Sequence, residues 1–175
     1  FPSNYQFNLW LDDFKTAGSL EEIFRNGTLS VRFIGLSDAI EVLSGEKYYI
    51  SKENHAHALD FVRHMREVVD GFTEEQQLNF TLLGSSGEYI SGRFPEIDKD
   101  YFDHKILDKG FYTNSFHVDV DSGLHPIQKL QYEGPFHIYV TGGCISYVEF
   151  SSAPLKNKEA IMEVIKAGIQ NGVNY

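Results

Sequence analysis

Apolar residues follow two rhythms along the chain: short β-branched or aromatic runs, and longer stretches with apolar positions three and four apart. The run 28–35 (TLSVRFIG) reads as a buried strand. Leu36, Ile40 and Leu43 then mark one face of a short helix that ends at Gly45. The most regular pattern lies at 53–70, where Ala58, Phe61, Val62, Met65 and Val69 form one helical stripe. Thr73 and Gln76 have capping-box spacing ahead of a second strand at 79–83 (NFTLL), and Ser85 and Glu88 repeat that spacing directly after it. Segments 116–120 and 145–150 are further strand candidates. A final helix points Ile161, Val164, Ile165 and Gly168 inward and stops at Asn171-Gly172. Near the start, Ser19 and Glu22 form another capping box, opening a helix that should stop at Asn26-Gly27. Long helices between apolar strands predict a mixed α/β fold with a mostly parallel sheet and crossover helices.

Composition narrows the classes. The 175 residues make one domain, 1–175, with no repeat or linker, and 42% hydrophobic against 23% charged residues implies a packed core. Fifteen basic against 25 acidic residues gives a net charge of −10, which argues against general nucleic-acid binding. No apolar run approaches the length of a membrane span; the longest are broken by Arg32, Glu149 or Lys166. One cysteine excludes an internal disulfide and suits a reducing cytoplasm. The first residues, Phe1 to Asn4, lack an initiator Met and signal-peptide character, so both ends read as cuts in a longer chain.

The most suggestive chemistry is the strand-then-GSSGE turn. A helix start exposes unpaired N–H groups at the positive end of the helix dipole, Gly84 and Gly87 let a ligand approach the backbone, and Ser85 and Ser86 add hydroxyls. An ordinary cap, Ser85 with Glu88, explains the same letters, and the two roles can coexist. The histidines do not make a metal site: His55 and His57 fall on nearly opposite helix faces, and His57 and His64 lack a third ligand, so they read as solvated surface residues. Cys144, in GGCISYVEF, reads as a packed thiol.

Five stretches occur in a telling order: LWLDDFK, RNGTLSVRFIGLSDAI, LNFTLLGSSGEYISGRF, YTNSFHV and ISYVEF. They resemble catalytic-domain segments of the anaerobic (class III) ribonucleotide reductases, a glycyl-radical family, and the likeness runs from about Leu9 to Tyr175. The resemblance implies part of a glycyl-radical-enzyme type α/β barrel, from an enzyme that reduces ribonucleoside triphosphates to deoxynucleotides by radical chemistry. It implies a substrate-phosphate turn at Ser85, Ser86, Gly87 and Glu88, where the family has Thr-Pro-Ala-Glu. It places Tyr112, Thr113 and Asn114 near the substrate. Asp119 stands where the family motif has Pro, and Cys144 where it has His, so Cys144 is not the radical cysteine.

No catalytic residue, metal ligand or cofactor site is assigned within the chain. By resemblance, zinc and the glycyl radical belong to a C-terminal part beyond it. The implied partners are a ribonucleoside triphosphate, the rest of the reductase chain and a radical-generating activating enzyme. The isolated segment is expected to lack turnover and to self-associate through strand edges and core-facing side chains such as Phe33, Phe80, Leu82 and Tyr147. Two alternatives remain at this stage: a truncated, non-catalytic paralogue that binds nucleotide or a reductase subunit, or a piece of another glycyl-radical enzyme.

Overall fold

The computed structural model describes residues 25, 27–87, 89–150 and 157–174. The expected helix opening at Ser19 lies outside the described residues. The fold begins with β1 (Thr28–Phe33), α1 (Leu36–Ser44), α2 (Lys52–Gln76) and β2 (Asn79–Gly84). Next come α3 (Ile90–Asp98), a 3-10 turn at Lys105–Lys109, α4 (Pro126–Glu133) and α5 (Lys158–Gln170). This is a mixed α/β arrangement with a small parallel sheet. β1 and β2 pair in register from Thr28↔Asn79 to Phe33↔Gly84, with α1 and α2 as the crossover that parallel pairing requires. Beyond β2, Leu83 forms a single parallel bridge to Gly143.

Local chemistry accounts for these boundaries. Gly35 takes a left-handed φ of 77° between β1 and α1, a conformation costly for any residue with a Cβ. α2 starts where the Ser51 side chain accepts the Asn54 N–H at 3.1 Å. It extends past the expected end at residue 70, so Thr73 to Gln76 is its last turn and does not cap a new element. The Thr73 hydroxyl instead accepts the Phe80 N–H at 3.2 Å and ties the start of β2 to the end of α2.

The core is aromatic. Tyr48, Phe116 and Phe136 are fully buried; Phe116 stacks on Phe136 at 5.0 Å and Tyr48 meets Phe136 edge-on at 5.4 Å. Ala58, Val62 and Val69 of α2 and Leu82 of β2 close it, as the helical stripe predicts. Phe61, from the same stripe, is exposed. His55 corrects the surface reading: its ring stacks on Tyr48 at 5.9 Å and bonds the Tyr132 carbonyl at 2.9 Å.

Other expectations are overturned. Segment 116–120 forms no strand; it turns at Ser115 (φ 43°) and runs as a buried loop into a 3-10 turn at Val120–Ser122. Its apolar residues are those of a loop inside the core, where Phe116 and Val118 face inward. Residues 145–150 likewise join no ladder among the described residues. Leu43, Ile161 and Ile165 face outward, and α5 packs through Ala167 and Gly168. α4 was not foreseen: His125 bonds the Ile127 N–H at 3.3 Å, and Gln128 reaches back to the His125 N–H at 3.1 Å.

Candidate functional site

The buried loop after the 3-10 turn at Lys105–Lys109 forms one wall of an open cleft of about 740 Å³. Tyr112, Thr113 and Asn114 all line it, so the structure brings these three residues together. Their backbone is fixed from two sides. From α3, the Ser91 carbonyl accepts the Tyr112 N–H at 2.8 Å, and Asp98 accepts the Tyr112 hydroxyl at 2.5 Å. From the start of α1, Gly35 N–H donates to the Thr113 carbonyl at 2.6 Å and Leu36 N–H to the Ser115 carbonyl at 3.1 Å.

Two carboxylates and two lysines complete the attachment. Asp38 is buried in the first turn of α1, where the helix dipole favours a negative charge. Its Oδ2 accepts the Thr113 N–H at 2.6 Å, and its Oδ1 accepts Lys109 at 2.6 Å and Lys47 at 2.8 Å. Asp119 takes the Thr113 hydroxyl at 2.7 Å and Lys109 at 3.1 Å on Oδ1, and Ser37 at 3.1 Å and Tyr49 at 3.0 Å on Oδ2. Burial pushes the Asp119 carboxyl up, but the Thr113 hydroxyl and the Lys109 and Lys47 charges outweigh it and hold the group down to about 2. Lys47 is raised despite burial, because its hydrogen bonds to Asp38 and Glu41 and the surrounding carboxylates favour its charged form.

This satisfaction limits what the cleft can bind. Four lysines line it against four carboxylates, and Asp38 and Glu133 lie among the groups those lysines contact. Lys109 already donates to Asp38, Thr113 and Asp119, which uses all three ammonium hydrogens. Capturing a polyphosphate on Lys47, Lys109 or Lys129 would require breaking those pairs; Lys105 alone of the four is mostly exposed. The cleft suits a neutral, hydroxyl-bearing group better than a highly charged anion.

Further along the loop the bonding is incomplete. Glu133 is fully buried; its Oε1 accepts the Val118 N–H at 2.9 Å and Lys129, and lies 3.3 Å from His117 Nδ1. Among the described residues, the buried side-chain atoms without a hydrogen-bond partner are Asn114 Oδ1, Ser115 Oγ, His117 Nδ1 and Glu133 Oε2. All belong to this loop or to the glutamate packed on it. Concentrated unsatisfied polar groups mark a place where structure is subordinate to another demand.

The Ser85 to Gly87 turn adjoins this wall but does not line the cleft. Ser85 is buried and its hydroxyl accepts the Gly87 N–H at 3.1 Å, so it caps two residues ahead. α3 begins at Ile90, later than the letters suggest, and Ser86 is exposed. Gly87 has a φ of 58°, and a Cβ there would lie 2.8 Å from Ile34 Cγ2 and 3.0 Å from Asn114 Oδ1. Only glycine lets turn and wall approach so closely. Glu88 lies outside the described residues.

Cys144 is half-buried against the core, with Sγ 3.1 Å from His137 Nδ1. Burial, with the Glu133 charge, pushes its thiol up to about 12, and burial pushes His137 down, so both are neutral at ordinary pH. Among the described residues no group of three or more His, Cys, Asp or Glu is arranged to hold a metal ion. No described helix is long and apolar enough to cross a membrane.

Sequence reasoning missed Asp38, Lys47, Lys109, Glu133 and His117, and gave Asp119 no role. Buried carboxylates look like solvated ones in a list of letters. One legible signal was Asp38 inside an otherwise uncharged helix start, LSDAI.

The family model described as anaerobic ribonucleoside-triphosphate reductase matches residues 1–175. Relatives bearing that name include one from Escherichia coli, 35% identical over 136 residues (75% of this chain, 19% of the relative). One from Salmonella typhimurium is 34% identical over 141 residues (78% and 20%). One from Enterobacteria phage T4 is 31% identical over 168 residues (93% and 26%). The chain thus spans about a fifth to a quarter of the length of these curated relatives.

Proposed function

The chain belongs to the anaerobic ribonucleoside-triphosphate reductase family, and we propose that it forms part of the catalytic barrel in which a ribonucleoside triphosphate is reduced to its deoxynucleotide. Ser85, Ser86 and Gly87, with Glu88, receive the substrate phosphates, and the wall of Tyr112, Thr113 and Asn114 faces the sugar. The observation that carries this division is the cleft's charge balance. Three of its four lysines, Lys47, Lys109 and Lys129, are committed to carboxylates, which disfavours phosphate there and favours the turn next to Asn114 as the anion site.

A larger parallel sheet is supported by β1, whose second edge has no ladder partner among the described residues and whose Val31 is exposed. Strands from the rest of the reductase chain complete the barrel. Isolated from them, the chain self-associates, which sedimentation over a hundredfold concentration range tests; a monomer throughout refutes it.

The glycyl radical supplies one-electron chemistry from outside this chain, installed by the activating enzyme, and zinc is held there too. This chain's residues bind and orient. The setting is the cytoplasm. The test is an anaerobic assay of the natural polypeptide carrying this chain, with activating enzyme and reductant. Deoxynucleotide forms, and Asn114→Ala lowers kcat/KM at least about tenfold. No product from any of the common ribonucleoside triphosphates sinks the function, and an unaltered Asn114→Ala sinks the site.

A further inference from the structure

We propose that Asp119 is a positioning residue, whose carboxylate locks Thr113 and thereby presents Asn114 to the sugar-facing side of the cleft; this rests on the function proposed above. Every polar group of Thr113 is engaged. Its N–H goes to Asp38, its carbonyl takes Gly35 N–H, and its hydroxyl is held between Asp119 and Lys109 at 2.7 and 2.9 Å. The next residue differs in kind: Asn114 lines the cleft, while its Oδ1 is buried without a hydrogen-bond partner against the Gly87 turn. Asn114 thus stands where the cleft meets the proposed phosphate turn, beside a residue with no freedom left, which is the arrangement of a preorganised contact.

Asp119 is separable from the fold in a way Asp38 is not. Asp38 is an integral part of the first turn of α1 and bonds the loop backbone directly. The Asp119 carboxylate acts only on side chains: the Thr113 hydroxyl, the two lysines, and the Ser37 and Tyr49 hydroxyls. Its backbone sits at φ −58°, ψ 142°, within the range proline imposes. No backbone bond from its N–H is present among the turn and loop bonds of the described residues. Proline at 119 therefore deletes the carboxylate while keeping the chain path. Asparagine keeps one oxygen for the Thr113 hydroxyl and deletes only the charge.

The experiment compares the natural polypeptide with its Asp119→Pro and Asp119→Asn variants. It measures anaerobic kinetics per glycyl radical, counted by electron paramagnetic resonance, and amide hydrogen exchange. For Asp119→Pro we expect kcat to fall at least about tenfold with KM within about threefold, because substrate binding rests mainly on the separate phosphate turn. Asp119→Asn should recover most of that loss. Exchange should rise about tenfold or more at residues 112–115 alone. The proposal is overturned if kcat holds, if KM carries the loss, or if exchange rises evenly across the chain as it would for general destabilisation. If the wild-type polypeptide makes no deoxynucleotide, the function fails instead, and local exchange at 112–115 still decides whether Asp119 holds the loop.

Discussion

Two buried carboxylate clusters grip the same loop and are finished to different degrees. Around Thr113, each oxygen of Asp38 and of Asp119 accepts at least one hydrogen bond, and the lysines between them are fully used. Around His117, one oxygen of Glu133 is shared by Lys129 and the Val118 N–H, and the other is buried with no partner. Buried charge is costly unless every lone pair is served. The first cluster is thus framework, and the second is left with a buried oxygen unserved. The difference teaches that burial alone does not classify a carboxylate; the completeness of its bonding does.

The comparison predicts unequal losses. Asp38→Ala should be the most damaging change, about 3 kcal/mol or more in urea unfolding, because it leaves the buried Thr113 N–H without its acceptor and takes one carboxylate from each of two lysines. Glu133→Gln should cost less, about 2 kcal/mol, since the amide oxygen still accepts the Val118 N–H while Lys129 loses a charged partner. Equal losses would erase the distinction between framework and unfinished site.

Acid should dissolve the framework by a route that can be followed. Asp119 has a folded value lowered to about 2 from an ordinary carboxylate value. Its contribution to stability is complete above about pH 4 and is lost as pH falls towards 2, because the unfolded chain binds the proton first. Asp119→Asn should flatten that limb of the stability profile; an unchanged profile would show that Asp119 is not held as described.

Cys144 offers a kinetic check on the neighbourhood of Glu133. With its thiol pushed up to about 12, iodoacetamide at pH 8 should react about a hundredfold or more slowly compared with an unhindered cysteine, and unfolding in urea should restore the rate. The smallest effect belongs to Arg63, whose ion pairs with Asp60 and Glu67 are exposed. Arg63→Ala should change stability by less than about 0.5 kcal/mol in the same urea assay.

Much of the frame was legible before the structure. β1, β2 and α2 follow from β-branched runs and a three-and-four stripe, because burying one face of a regular element leaves that periodic trace. α4 left little trace, since only Leu130 and Glu133 of its eight residues are buried. Pro126 behind a polar His125 was nonetheless a readable helix start. Segment 116–120 was misread because a loop threaded through a core needs the same apolar residues as a strand. Tyr112, Thr113 and Asn114 stood out only through family likeness. The residues that hold them did not, because Asp38 and Asp119 become neighbours only through the fold, and nothing in their local sequence records it.

The bond from the Thr113 amide to Asp38 spans 75 residues of chain. On a ribosome adding about 5–20 residues per second, roughly 4–15 s separate the synthesis of its two ends. Lys47 can reach Asp38 early, being only 9 residues away, whereas Lys109 and Thr113 arrive together at the close of that interval. For those seconds the first turn of α1 carries a carboxylate that stays hydrated, and the region around it cannot dehydrate and set. The cleft wall is therefore among the last parts of the molecule to take shape during its own making.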